Sequence, residues 1–342
     1  MNRTKLKQGT LAWEKARETR IGGSEIFDIV KYYATDEELQ NCGINAEKFK
    51  AEKPYTSAWA LYHKIRRDGL YHKEAPPPEF AEYGHAAEPY GIHVLQRYRD
   101  KKIKPGEVYA DDKLIVSLDA SGTADELDET IPFHFGNGFP RKGQRFVCEQ
   151  KTMMPQKYKS SAVPFKYIVQ AQHQLSQTKA DFFILQIMVL NEDTPFIRGK
   201  ICQMSKKKRF EYLDENMRVT HLYFRNNQHL GELINACTSR FFEAVANENE
   251  PTPYIENDSQ QNIIENIRSN SLFNPDAVVD YDLRPYTNAK AKKDKAASIQ
   301  SEELQKIIEL AKAKNACRFE STDGITASFS KNGRFLVKEN RV

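Results

Sequence analysis

The chain has 342 residues, 39% of them hydrophobic and 29% charged, which is enough apolar content for one large domain or a core with an appendage. Lysines and arginines number 51 against 47 aspartates and glutamates, so a polyanionic partner is attracted only if positive charge gathers on one face. Cys42, Cys148, Cys202, Cys237 and Cys317 are odd in number and contain no C-x-x-C pair, there is no apolar leader after Met1, and no stretch approaches a membrane span. Disulfides, a structural zinc, an iron–sulfur cluster and a membrane anchor are therefore not expected, and a cytosolic protein is.

In chain order, Thr10 to Val30 reads as two short helices, the second capped by Ser24 after the pair Gly22-Gly23. A polar, tyrosine-rich helical region leads to Pro76-Pro77-Pro78, and from Phe80 to Asp100 a helix is expected with Pro89 at a start or a kink. Strands are expected at Lys113 to Leu118 and Arg145 to Lys151, with a glycine- and proline-rich stretch from Phe133 to Gly143 between them. Tyr167 to Leu175 reads as a helix, and Phe182 to Leu190 as a buried strand, its apolar run being too short for most helices.

After Phe210 the periodicity suggests one long helix continuing to Ala246 and closing over the core, ended at Glu248-Asn-Glu-Pro-Thr-Pro. Residues 255–300 read as a partly flexible connector carrying the basic run Lys290-Ala-Lys-Lys-Asp-Lys. Glu302 to Lys314 then reads as a helix, and Cys317 to Lys338 as a hairpin with turns at Thr322-Asp323-Gly324 and Lys331-Asn332-Gly333. The expected organisation is a domain over residues 1–250 (N-terminal segment 1–35, catalytic core 80–200), a connector 251–300 and a C-terminal helix-plus-hairpin appendage 301–342. Strand, strand, helix, strand gives an α/β core.

The residues that carry chemistry are Asp119 and Glu149-Gln150-Lys151. Side chains two apart on a strand share a face, so Glu149 and Lys151 project together and Gln150 offers a backbone carbonyl beside them. Two carboxylates and a carbonyl suit hard Mg²⁺, with Mn²⁺ as a substitute, and Lys151 would orient or deprotonate an attacking water. Glu88 is a further carboxylate upstream. E-x-K also arises by chance on solvated strand faces. Here it lies between Phe146-Val147-Cys148 and Thr152-Met153-Met154, and charges set among apolar residues need a reason.

Five motifs in order resemble the lambda exonuclease and YqaJ-like viral recombinase family, whose core is the PD-(D/E)XK nuclease fold, a central mixed sheet flanked by helices. They are Gln8-Gly9-x-x-Ala12-Trp13-x-Lys15-x-Arg17 with Ile21-x-x-Ser24-Glu25, then Gly84-His-Ala-Ala-Glu88, Ser117-Leu118-Asp119, Glu149-Gln150-Lys151, and Tyr167-Ile-Val-Gln170-Ala-Gln172-His-Gln-Leu. The resemblance spans roughly residues 7–250. It implies 5′-to-3′ exonuclease action on one strand of linear duplex DNA, a ring-shaped homotrimer, and a single-strand annealing protein as partner in phage-type recombination. It also implies metal ligation by Asp119 and Glu149 supported by Glu88, water positioning by Lys151, an outer role for Gln170, and a 5′-phosphate held at Arg17 and Ser24.

The chain departs from the family's short hairpin between aspartate and E-x-K, since thirty positions separate Asp119 from Glu149. Asp125 in Gly122-Thr-Ala-Asp125-Glu is thus an alternative ligand. Asp119 is favoured for its preceding strand and the Ser-x-Asp pattern.

Lys206-Lys-Lys-Arg209 is weighed as a solvated face, His173 as a packed histidine, and Trp13 and Tyr167 as core or orienting side chains. No G-x-x-x-x-G-K-[ST] loop is present, so no bound nucleotide is expected. An endonuclease on the same core, or a DNA-binding module without catalysis, are the alternative functions.

Overall fold

The computed structural model describes residues 1–69, 71, 78–98, 103–154 and 163–254, together with the strand segments 318–320, 325–329 and 335–339. The chain divides into two compact units, Met1–Phe273 and Asn274–Val342.

The first unit is mixed α/β. It opens with a two-residue strand β1 (Asn2–Arg3), helix α1 (Leu11–Glu18), strand β2 (Ile21–Gly22), a 3-10 turn (Gly23–Glu25) and helix α2 (Ile26–Tyr33). Thr10 caps α1 by accepting from the Trp13 amide. Ser24 does not cap α2, contrary to expectation: it lies inside the 3-10 turn, and the residue preceding α2 is Glu25. Glu25 reaches back to accept the Gly22 N–H at 2.7 Å, satisfying the amide that an N-cap side chain would otherwise leave open.

Short helices α3 (Asp36–Asn41), α4 (Ala46–Ala51) and α5 (Ala58–Arg66) lead to the long helix α6 (Pro78–Tyr98). Pro89 lies in the interior of α6 rather than at a start. An interior proline costs about 3 kcal/mol, and the buried stripe Tyr83, Ala87, Tyr90, Val94 and Leu95 offsets it by packing the helix onto the sheet.

Strands β3 (Lys104–Pro105), β4 (Val108–Ala110), β5 (Leu114–Ser117), β6 (Ala120–Thr123), β7 (Phe133–Phe135) and β8 (Arg145–Met153) follow, then helix α7 (Phe165–Thr178) and strand β9 (Phe182–Leu190). All nine residues of β9 are buried, as its continuous apolar run requires. The stretch from Phe133 to Gly143 is not wholly irregular, because β7 forms the sheet edge beside β10.

The region after Phe210 is the largest correction. After α8 (Pro195–Gln203), the expected single helix is replaced by the end of α9 (Lys206–Asn216), the strand β10 (Met217–Arg225) and α10 (Gln228–Ala246). Val219, Thr220, Tyr223 and Phe224 favour extended backbone, and every residue of β10 finds an antiparallel partner on β9, from Met217 opposite Leu190 to Arg225 opposite Phe182.

Two sheets result, a small one in the order β1-β4-β5-β2 and a six-stranded mixed one in the order β3-β6-β8-β9-β10-β7. In the large sheet β8 and β9 run parallel with α7 as the crossover between them. One face of this sheet packs on α2, α7 and α10 through Val147, Phe183, Leu185, Val169 and Phe241. The other packs on α6, α8 and α9 through Met188, Leu190, Tyr90, Ile201 and Leu213. Helices cover both faces, as expected for this fold class. The described helices include none long and apolar enough to cross a membrane.

The second unit contains β11 (Arg318–Glu320), β12 (Ile325–Phe329) and β13 (Phe335–Glu339) in one antiparallel sheet. It is a three-stranded meander, one strand more than a hairpin. The expected connector with Lys290, the helix from Glu302 to Lys314 and both glycine turns lie outside the described residues, as does Cys317.

Candidate active site

The chain passes from the small sheet to the large one at Leu118-Asp119, between the end of β5 and the start of β6. β6 pairs with β8 only from Thr123 opposite Arg145 to Ala120 opposite Cys148. From Glu149 onward that edge of β8 is not taken up by β6, and the Asp119 side chain extends the ladder by accepting the Gln150 N–H at 2.7 Å. A strand residue's N–H and C=O point to the same side, so the Gln150 carbonyl opens on the edge where Asp119 sits.

Alternation along β8 then separates the roles. Val147 packs into the core beside α7, and Glu149 turns the same way, accepting from Gln174 Nε2 at 3.0 Å and from Lys151 Nζ at 2.7 Å. On the opposite face Thr152 and Gln150 meet α6 at Gly84 and Gly91, which lie on one helix face with Glu88. A Cβ on Gly91 would run into the side-chain amides of Gln150 and Gln186, so the helix backbone lies close against β8 here. That approach brings Glu88 within electrostatic reach of both Asp119 and Glu149.

Three carboxylates thus share a partly buried corner with one ammonium. Burial first, and then the charge of Glu149, pushes the Asp119 carboxyl well above the ordinary carboxylate range. Glu88 is raised in the same sense, by burial and then by Glu149 against the opposing effect of His85. Burial works against the charge of Lys151, but Glu149 and Asp119 outweigh it and hold the ammonium above its ordinary range.

Among the described residues no three of His, Cys, Asp and Glu are close enough to form a metal-binding group by themselves. The set that converges is Asp119, Glu149 and the Gln150 carbonyl, with Glu88 acting through charge. All are hard oxygen donors, and the excess negative charge is what a divalent cation would relieve, so these residues fit Mg²⁺.

Asp125 lies elsewhere. Its Oδ1 accepts the Leu127 N–H at 2.9 Å in the turn after β6, and its own N–H is held by Asp128. Of the two candidate ligands, Asp119 is the one beside Glu149.

The N-terminal motif is tied to the same corner. Trp13 Nε1 donates to Ser117 Oγ at 2.7 Å, linking α1 to the strand that ends at Asp119, and the Arg17 guanidinium lies over the Trp13 ring at 4.7 Å. Arg17 Nη2 is 3.8 Å from the position a Gly22 Cβ would take, and Gly23 packs on Gln170 and Gln174 of α7. The Gly22-Gly23-Ser24 turn and Glu149 therefore share Gln174 between them.

No family model matches this chain, and no curated protein matches it either. Among solved structures, a phage related exonuclease from Haemophilus somnus 129PT aligns at 10% identity over 67% of this chain and 96% of its own, with a TM-score of 0.39. An alkaline exonuclease (LHK-Exo) from Laribacter hongkongensis aligns at 14% identity over 70% of this chain and 94% of its own, with a TM-score of 0.41. Likenesses this weak assign no activity; the groups in the corner must do so.

Other expected residues divide. Gln170 is buried at the turn, whereas Gln172 is structural, donating to the Arg225 carbonyl at 2.8 Å and accepting the Asn227 N–H at 2.7 Å. Tyr167 faces the site, its ring centroid 5.7 Å from Lys151 Nζ. His173 is fully buried, and burial lowers its pKa to about 4, in keeping with a packed neutral ring. In the basic run, Lys206 to Lys208 are exposed, but Arg209 is half-buried and donates to the Ile201, Cys202, Met204 and Ala86 carbonyls.

Sequence reading assigned no role to Gln174 and Glu25, although both stand in the quoted motifs, and found no sign of Lys64. Gln174 stands four residues after Gln170, a helical spacing that placed both on one face. Glu25 and Lys64 form a buried pair at 2.7 Å, and only the packing of α5 against the glycine turn brings Lys64 there.

Proposed function

We propose that the chain is a metal-dependent nuclease that degrades one strand of linear duplex DNA from the 5′ end. The observation that carries this is the convergence of Asp119, Glu149, Lys151 and the Gln150 carbonyl at the open edge of β8. Mg²⁺, with Mn²⁺ able to replace it, would be held by Asp119, Glu149 and the Gln150 carbonyl, with Glu88 adding charge. When bound, the ion supplies Lewis-acid stabilisation of charge developing on the phosphoryl oxygens.

The remaining work falls to the chain itself. In the metal-free chain Glu149 and Asp119 outweigh burial and favour the Lys151 ammonium, which suits it to donate hydrogen bonds to the attacking water or to a phosphoryl oxygen. Gln174 and Lys151 fix the two oxygens of Glu149. Arg17 and the amides around Ser24 offer charge-assisted donors to a terminal phosphate, which supports end recognition. A homotrimer threading DNA, and delivery of single strands to an annealing protein for recombination, complete the proposal through the family resemblance.

The test is linear duplex labelled separately at each end, carrying either a 5′-phosphate or a 5′-hydroxyl, beside a covalently closed circle, with and without Mg²⁺. Loss of the 5′-phosphorylated strand alone, faster than its hydroxyl counterpart and with the circle intact, supports the proposal. Cleavage of the circle would identify an endonuclease, and no Mg²⁺-dependent cleavage would leave a binding module.

A further inference from the structure

Tyr55 is 40% exposed although its loop is firmly held. Its backbone is pinned from two sides. The Tyr55 and Thr56 N–H groups both donate at 3.1 Å to the carboxylate of Asp28, a residue of α2 that is 2% exposed. Three residues earlier, the Glu52 carboxylate accepts the first amides of α7, from Phe165 at 2.7 Å and Lys166 at 3.2 Å. These bonds dock the loop onto the helix that also carries Tyr167 and Gln174.

The result is a row of aromatic and cationic groups leading out of the site. Lys151 Nζ lies 5.7 Å from the Tyr167 ring centroid, the Tyr167 and Tyr55 hydroxyls interact, and Lys166 Nζ lies over one face of the Tyr55 ring, 4.5 Å from its centroid. Tyr55 is close enough to the site for its hydroxyl to feel the charge of Glu149, although burial is the largest cause of its raised pKa. Aromatic faces beside cations are what unpaired nucleic-acid strands bind: the ring takes a base in any sequence and the ammonium takes the phosphate. Neither Tyr55 nor Lys166 is used in the hydrolytic chemistry.

We infer that Tyr55, tied to Tyr167 through its hydroxyl and covered on one face by Lys166, offers its other face as a stacking platform for an unpaired base of the strand whose scissile phosphate reaches Lys151. This rests on the nuclease reading and names the surface on which an unpaired terminal base would sit. A platform fixed by Asp28 and Glu52 loses little freedom on binding, which favours its use as a positioning surface.

The experiment uses the full chain with Glu149→Gln, to stop turnover, and a linear duplex carrying 2-aminopurine at its 5′-terminal positions. Binding should quench the fluorophore through stacking. Adding Tyr55→Phe should preserve the quench. Adding Tyr55→Ala or Tyr55→Leu should abolish it and weaken binding about tenfold, and Lys166→Ala should weaken binding and reduce the salt slope by about one. If Tyr55→Ala and Tyr55→Leu both quench and bind like the parent while the wild-type chain cleaves linear duplex in Mg²⁺, the platform is refuted and the nuclease reading stands. If the wild-type chain neither binds nor cleaves DNA, the nuclease reading falls first.

Discussion

Asp119→Asn separates catalysis from stability in a way that few substitutions at a site can. The asparagine keeps an oxygen to accept the Gln150 N–H, now bonded at 2.7 Å, so the corner between the two sheets should hold its shape. It removes a charge that burial and Glu149 make costly, which is why the wild-type carboxyl is raised. A carboxyl whose folded pKa exceeds its unfolded value contributes stability below the unfolded pKa and loses it as pH rises through the folded one. The metal-free wild type should therefore be penalised from about pH 4 upward, by about 1.4 kcal/mol for each pKa unit of elevation, and Asp119→Asn should escape that penalty.

For a unit of this size each kcal/mol corresponds to roughly 2 to 4 °C in melting temperature. In EDTA at pH 8 the variant should melt at or above the wild type, and the difference should shrink toward pH 4. Its Mg²⁺-dependent cleavage should meanwhile fall on the order of a thousandfold, about 4 kcal/mol of lost barrier lowering. Differential scanning fluorimetry across pH, paired with cleavage of linear duplex, measures both. A variant that cleaves normally, or that melts well below the wild type at pH 8, would refute the reasoning. Asp125→Asn is the control and should keep activity within a few-fold, because that carboxylate only closes a turn.

Three further outcomes are expected. Lys151→Ala removes the ammonium that holds Glu149 at 2.7 Å and should abolish hydrolysis while leaving DNA affinity within a few-fold, as read by anisotropy in EDTA; turnover near the wild-type rate would exclude the assigned role. His173 is neutral and buried, with a pKa lowered to about 4, so its contribution is full above pH 6.5 and is lost as pH falls from 6.5 through 4, a total on the order of a few kcal/mol. Replacing it by Phe should flatten the decline seen in urea titrations at pH 7, 6 and 5, and an unchanged slope would contradict its burial as a neutral ring. Gly91→Ala places a Cβ against the buried side-chain amides of Gln150 and Gln186 and should destabilise the fold by about 1–3 kcal/mol and raise the Mg²⁺ concentration needed for half-maximal activity, since those amides or the helix bearing Glu88 must shift.

Much of this protein was legible in one dimension because the deciding signals are local. The apolar run from Phe182 to Leu190 can satisfy itself only as a doubly covered strand, and it is one. The period of two in β8 put Glu149 and Lys151 on one face before any neighbour was known, and their ion pair follows from it. What local pattern could not supply was pairing and close approach. Met217 to Arg225 carries both helical and extended signals, and its nine-residue partnership with β9 settles the competition.

Ser24 looked like a cap, but the chain makes a 3-10 turn there, closed by Glu25 on the Gly22 amide, and α2 begins only after Glu25. Pro89 left a helix start or an interior kink open, and a buried face carries α6 past it. Asp119 and Asp125 could not be told apart by spacing. The choice between them depends on where β6 stops pairing with β8, a fact of sheet register that brings Asp119 to the open edge and leaves Asp125 in a turn. Tyr55 carried no signal at all, because its place beside the site comes from contacts distant in sequence, the Asp28 carboxylate of α2 holding its own amide and Glu52 holding the first amides of α7. Sequence periodicity determined which side chains share a face, and tertiary contacts decided which faces meet.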